Sequence, residues 1–239
     1  MKIIKILAIA VFLSTFLSCN TAIKGDGNIQ TMQPSITSFK KMEVSGKWNV
    51  ILTQGESESL KIEADKNLLE LIETKVDGDV LIIGTKNNKN IDSEKGLKAY
   101  ITFKNFNKIE LSGAVKMSAP SQLTFDKLNI ESSGAAEINL DLNASQLEAE
   151  MSGGSETILR GNINEVGFSI SGAGSLSALE LAVNKFKIDI SGSGSADVCV
   201  KDELNATISG AGSVSYKGNP TVKKEISGAG KIYQIKKAE

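Results

Sequence analysis

The sequence predicts an all-β fold: a right-handed, single-stranded parallel β-helix with rungs of about 19 residues and a short helix in an N-terminal capping region. Three observations predict it. A Ser-Gly pair returns seven times at near-constant spacing. Apolar residues alternate on the N-terminal side of each pair. A small residue follows each Ser by two. The pairs are Ser112-Gly113, Ser133-Gly134, Ser152-Gly153, Ser171-Gly172, Ser191-Gly192, Ser209-Gly210 and Ser227-Gly228, separated by 21, 19, 19, 20, 18 and 18 residues.

The chain has 239 residues, 22 Gly, 3 Pro, 5% aromatics and no His. Absence of His removes the usual general base, the Ser-His triad and most zinc sites. Arginine occurs once, at Arg160, so bidentate readout of phosphates or nucleic-acid bases is poorly provided for.

Residues 1–18 carry Lys2 and Lys5, then an apolar run from Ile6 to Leu17. A basic start and an apolar run of about a dozen residues describe a secretory signal. Leu17-Ser18-Cys19 resembles a lipoprotein processing box, so Cys19 is the expected site of lipidation, palmitate included. Several acyl chains hold a protein stably on a membrane. Loss of residues 1–18 removes two Lys and no acid, leaving 25 basic against 28 acidic residues, a net charge of −3. That is too mild to name a charged partner. Cys199 is then left without a disulfide partner.

Residues 19–37 are polar and small, without a hydrophobic period, and read as a lipid-anchored flexible tether. Residues 38–110 read as opening rungs and a cap. Met42 and Val44 alternate up to Ser45-Gly46, an outlying copy of the repeat; Trp48, Val50 and Leu52 alternate after it. Leu60 to Ala64 is a strand. Asp65 reads as an N-cap for a helix of two turns carrying Leu68, Leu69, Leu71 and Ile72. Asp77-Gly78-Asp79 is a hairpin turn, Lys86 to Lys95 a polar loop, and Leu97 to Phe103 another strand.

Residues 111–235 are the regular rungs, continuous with 38–110 as one domain, and 236–239 are a tail. Aligned on the Ser, mostly apolar residues fill the positions one, three and five before it, with Ser132, Lys224 and Asn107 the polar members. Apolar examples are Ile190, Ile188 and Phe186. Ala114, Ala135, Gly154, Ala173, Ser193, Ala211 and Ala229 stand two after it. The expectation is that these small residues point inward and that the alternation changes parity across a glycine corner. Polar groups at Asp141-Leu142-Asn143, Gly161-Asn162, Lys201-Asp202-Glu203 and Lys217-Gly218-Asn219-Pro220 are expected to close each turn as loops. At a strand spacing of ~4.8 Å, seven turns stack over roughly 34 Å. A left-handed helix of hexapeptides also suits a spacing of 18, since Ile208, Val214, Pro220, Ile226 and Ile232 fall six apart. That pattern fails one rung earlier, where Ile190 and Ala196 lead to Asp202, and the right-handed form is favoured.

Phe39-Lys-Lys-Met-Glu-Val-Ser-Gly, Val50-Ile-Leu-Thr-Gln-Gly, Ile62-Glu-Ala-Asp-Lys-Asn-Leu-Leu and the serial Ser-Gly-x-Gly rungs together resemble the bacterial "putative auto-transporter adhesin, head GIN domain" family over roughly 38–235. The resemblance implies a secreted or lipid-anchored β-helix of the Bacteroidetes type, and it offers no catalytic residues to carry over. Many members place Asp after Ser-Gly-x-Gly. This chain has Lys116, Glu137, Glu156, Ser175, Ser195, Ser213 and Lys231 there, so no calcium-binding carboxylate ladder is expected at that register.

The Ser-Gly-x-Gly loops run into strands and lack the helix of a phosphate loop. They are read as corners whose hydroxyls stack and bond neighbouring turns. Glu137 and Glu156 are expected one rung apart, Trp48 as cap packing, and Cys199 as an idle thiol. No enzyme activity, metal or cofactor is expected. The expected product is an adhesin-like binding or structural lipoprotein of the outer membrane, periplasmic or surface-facing. Its ligand would be a protein or a polysaccharide, and nucleic acid is not among the expected partners. A polysaccharide-binding or polysaccharide-cleaving β-helix protein is the alternative, and an envelope scaffold or sensor subunit a further one.

Overall fold

A computed structural model describes residues 22–236. The signal segment, Cys19 and residues 237–239 lie outside the described residues. The chain opens with β1 (Ile23–Lys24) and β2 (Ile29–Met32), followed by the first rung, β3 (Lys41–Gln54). Next come β4 (Ser59–Asp65), α1 (Lys66–Leu69), and the hairpin of β5 (Ile72–Asp77) and β6 (Val80–Thr85). A 3-10 turn, Lys86–Asn88, precedes β7 (Ile91–Asp92) and β8 (Leu97–Phe103). The solenoid proper is β9 (Lys108–Ser118), β10 (Leu123–Gly134), β11 (Glu137–Gly153), β12 (Glu156–Gly172), β13 (Ser175–Gly192), β14 (Ser195–Gly210), β15 (Ser213–Lys217), β16 (Thr221–Gly228) and β17 (Lys231–Gln234).

Consecutive rungs pair in parallel with the Ser-Gly corners in register. Gly46 stacks on Gly113, which stacks on Gly134, and the column continues through Gly153, Gly172, Gly192 and Gly210 to Gly228. The outlying copy at Ser45-Gly46 is therefore a full member, and the column has eight corners. Each corner glycine has a positive φ. Gly134, at +123°, shows why only Gly serves: a Cβ there would lie 2.5 Å from the carbonyl oxygen of Gly113. The link between corners is backbone. Ala135 N–H donates to Gly113 O at 2.8 Å, and Ala211 N–H to Gly192 O at 2.9 Å.

The alternation around the corner differs from the sequence expectation. Ala114, Ala135, Gly154, Ala173, Ser193 and Ala211 are exposed; the inward residue comes one later, at Val115, Ala136, Ser155, Gly174, Gly194 and Gly212. Ser, Gly and the small residue form a convex bend with all three side positions outside. The positive-φ glycine turns the chain there, and the inward set resumes with its parity unbroken.

The polar groups expected to close turns are also placed differently. β11, β12 and β14 run without a break through Asp141–Asn143, Gly161-Asn162 and Lys201–Glu203. Only Lys217 to Pro220 separates two strands as foreseen, β15 from β16. Bending is absorbed inside the strands, where register shifts fall between Ile158 and Arg160 and between Ala178 and Ala182. These irregularities explain why rung length varies while corners stay aligned.

The core is one apolar column, filled on successive rungs by Leu128, Leu147, Val166, Phe186 and Leu204 ahead of the corners and by Ile138, Leu176, Ala196 and Val214 after them, each nearly fully buried. At the N-terminal side Phe103, Phe106 and Phe125 pack with centroids 4.3 and 5.3 Å apart. Here β8 continues the parallel stack on β3, and two antiparallel strands then close it, β4 on β8 and β2 on β4. This capping unit stops the stack from offering a long parallel edge.

Two expectations fail in this cap. The helix is only four residues long, and Ile72 belongs to β5. Asp65 makes no side-chain cap. Its carboxylate is buried instead, accepting Gly27 N–H at 2.7 Å and the Ser93 hydroxyl at 2.5 Å. Those bonds help overturn the tether expected over 19–37, as far as it is described. Ile23 N–H donates to Asn90 O, Gly25 N–H to Asp92 O, and Asn67 Nδ2 to Lys24 O. Local composition is polar, but cap partners distant in sequence satisfy the backbone and hold it down.

Candidate functional site

The corners named from sequence form an exposed ridge, and no chemistry gathers on it. Ser112, Ser133, Ser152, Ser171, Ser191, Ser209 and Ser227 stack on the outside. Among the described residues no corner hydroxyl hydrogen-bonds another, contrary to expectation; the stacking is carried by the backbone. Nucleophilic catalysis needs a base within hydrogen-bond reach of the hydroxyl, and none is bonded to these serines.

Two grooves flank the ridge on the first rungs. In the first, of about 380 Å³, Glu43, Glu110, Glu131 and Glu150 stand in register on successive rungs beside Ser45, Ser112, Ser133 and Ser152. Lys108 interleaves, with Nζ 2.6 Å from Glu110 and 2.9 Å from Glu131. The two carboxylates push its ammonium up to about 12. Aligning the position two before each Ser would have found this column. Among the described residues no group of three His, Cys, Asp or Glu side chains is arranged to hold a metal ion.

The second groove, of about 430 Å³, lies on the other side of the corner. Ala114, Ala135 and Gly154 give it a small, apolar floor, and Lys95, Gly96, Leu97 and Lys98 form one wall. Lys47 stands over it. Lys116, Glu137 and Glu156 follow each other rung by rung along the far side. Glu137 and Glu156 are adjacent as expected, but Lys116 pairs with Glu137, which raises the lysine. Four lysines, Lys47, Lys95, Lys98 and Lys116, and two glutamates, Glu137 and Glu156, line this small apolar base, an excess of two ammonium groups.

The remaining singled-out residues are structural. Trp48 is buried, and its indole N–H donates to Ser45 O at 3.0 Å. Arg160 bridges rungs on the outer face, reaching Asn139 at 2.7 Å and Glu180 at 3.0 Å. Cys199 is half-buried and unpaired.

The fold recurs in solved structures. A putative adhesin from Bacteroides fragilis NCTC 9343 superposes with a TM-score of 0.84 at 25% identity, covering 90% of this chain and 100% of that one. A putative adhesin from Parabacteroides distasonis ATCC 8503 gives 0.71 at 24% identity, with 90% and 100% covered. A putative lipid binding protein from the same strain gives 0.72 at 21% identity, again with 90% and 100% covered. The last two likenesses speak to the fold alone. No curated protein matches the chain. The family described as "Putative auto-transporter adhesin, head GIN domain" matches residues 38–220, from the opening rung through the last continuous turn. The registered corners and capped stack are its architecture in this sequence, and the chain belongs to that family.

Proposed function

We propose that this protein is a non-enzymatic, adhesin-like lipoprotein of the bacterial cell envelope, exported and held on the outer membrane through acylated Cys19. Its rungs supply stiffness, and its outer faces supply the ligand site. The observation that carries the reading is the lysine-rimmed groove beside the corner ridge. Lys47, Lys95 and Lys98 surround the exposed floor of Ala114, Ala135 and Gly154. A trough crossing several rungs suits an extended ligand, and its ammonium groups favour an anionic one, such as an acidic polysaccharide. Family membership supports the adhesin-like character.

Titration of the full protein with an acidic and a neutral polysaccharide tests this. The acidic polymer is expected to bind, more weakly as salt rises, and the double variant Lys47→Glu, Lys98→Glu is expected to lose most of the binding. Equal binding by wild type and variant would remove the groove from the reading. The anchor is tested separately: Cys19→Ala is expected to move the protein out of the membrane fraction, and retention would overturn it.

A further inference from the structure

The N-terminal cap places an apolar pair close to the expected anchor. Among the described residues, four large hydrophobic side chains are exposed, and they lie at the two ends of the solenoid: Ile23 and Ile29 at one, Ile226 and Tyr233 at the other. The N-terminal pair flanks a segment that is fastened to the cap. Ile23 N–H bonds Asn90 O at 2.9 Å, Gly27 N–H bonds Asp65 at 2.7 Å, and β2 pairs with β4. From Cys19 to Ile23 is four residues, which span at most about 14 Å when extended. A free tether of the full length expected from sequence would have a root-mean-square reach of roughly 24 Å.

We propose that the β1–β2 edge of the cap is a membrane-contact surface, with Ile23 and Ile29 seated in the interfacial region of the bilayer that carries the Cys19 lipid. The proposal rests on the anchor reading above. Its occupant is the lipid surface, because the lipid-bearing residue lies too near for the cap to stand clear. The attachment is apolar in character. Lys24 sits opposite Asp92 in the β1–β7 register, Asp26 is close by, and Lys95 Nζ donates to Gly27 O at 3.3 Å, so the two ammonium groups at this segment are matched by two carboxylates. Contact is therefore expected to depend little on anionic headgroups. The opposite end, at Tyr233, faces away from the bilayer, which orients the grooves along a rod rising from the surface.

The test uses the full protein purified from membranes and reconstituted into phosphatidylcholine vesicles carrying brominated acyl chains. Tryptophan is placed at one position per variant, Ile29→Trp or Tyr233→Trp, and the buried Trp48 signal of wild type is subtracted. The Ile29→Trp emission is expected to lose most of its intensity and that of Tyr233→Trp to be unchanged, with the same result when phosphatidylglycerol is added. If Ile29→Trp does not fold, Ile23→Trp carries the same measurement. A protein that stays on the vesicles with neither probe quenched would overturn the membrane contact and leave the anchor intact. A mature chain without acyl groups by mass spectrometry would overturn both.

Discussion

The side chain of Ile170 occupies the space that a Cβ on Gly194 would need: its Cγ2 lies 2.7 Å from that point. The contact joins consecutive rungs, because Ile170 precedes one corner and Gly194 follows the next. It recurs up the stack, with Ile190 Cγ2 2.7 Å from the same point on Gly212 and Ile208 Cγ2 2.5 Å from that on Gly230. Where Ile stands before Ser, as at Ile170, Ile190, Ile208 and Ile226, Gly stands three after it, at Gly174, Gly194, Gly212 and Gly230. Where Leu111, Ser132 or Met151 stands there, Val115, Ala136 or Ser155 follows. The second glycine of Ser-Gly-x-Gly makes room for a neighbour's branched side chain.

This packing predicts a coupled pair. Gly194→Ala overfills the site and is expected to cost about 1–3 kcal/mol. Ile170→Ala empties it and is expected to cost about 2–5 kcal/mol. Each new group fits the space the other leaves, so the double variant should lose clearly less than the sum. Denaturant unfolding of the four proteins measures the coupling, and strict additivity would refute the contact.

Asp65 holds the N-terminal segment. Replacing it with Ala removes an acceptor from Gly27 N–H and from the buried Ser93 hydroxyl, with an expected loss of about 2–3 kcal/mol. The effect should be local. Hydrogen exchange is expected to quicken over Ile23–Met32 and to stay slow in β11 to β13. Unchanged protection at Ile29–Met32 would show that β2 is held by its strand pairing alone.

Stability should be flat from about pH 5 to 8, because no His titrates there. The Lys108 ammonium is raised by Glu110 and Glu131 to about 12. Its contribution is complete below the unfolded value of 10.5 and is lost as pH rises through about 12. Glu63, lowered first by its bond from Lys61, and Glu203, lowered first by Asn205, act in the other direction. They stabilise above the ordinary value of 4.5, and that is lost as pH falls through their folded values. Thermal melts across pH 3–12 follow this; Lys108→Met should weaken the alkaline fall.

At the C-terminal end β16 and β17 form the last rung, with Ile226 44% exposed. Its guard lies in the inward column. Ile109, Ile130, Ala149, Phe168, Ile188 and Ala206 lead there to Lys224. An ammonium at the open end of an apolar column opposes stacking of a second chain. Lys224→Ile is expected to shift the sedimentation profile toward larger species than wild type. An identical profile would remove Lys224 from that role.

Much of the fold was legible because a stacked rung repeats its constraints in the sequence. Ser-Gly at steady spacing marked the column of corners, and the residues one, three and five before Ser marked one strand of the core. Each reports a contact made again at every turn. The candidate site was far less legible. The carboxylates of Glu43, Glu110, Glu131 and Glu150 are separated unevenly along the chain and meet only when rungs stack. The lysine groove needs the wall of Lys95 to Lys98, carried in by the cap.

The sequence by itself determined the solenoid, its period and its corners, since those follow from local backbone geometry and alternation. Only the tertiary structure decided which side of the corner faces the core, because the corner glycine's positive φ turns its own position outward while the residues on either side keep the alternation. It also decided the fate of the N-terminal segment. Polar composition reads as tether, but the bonds from Asp65, Asn67 and Asn90 come from residues far along the chain, and no local pattern records them.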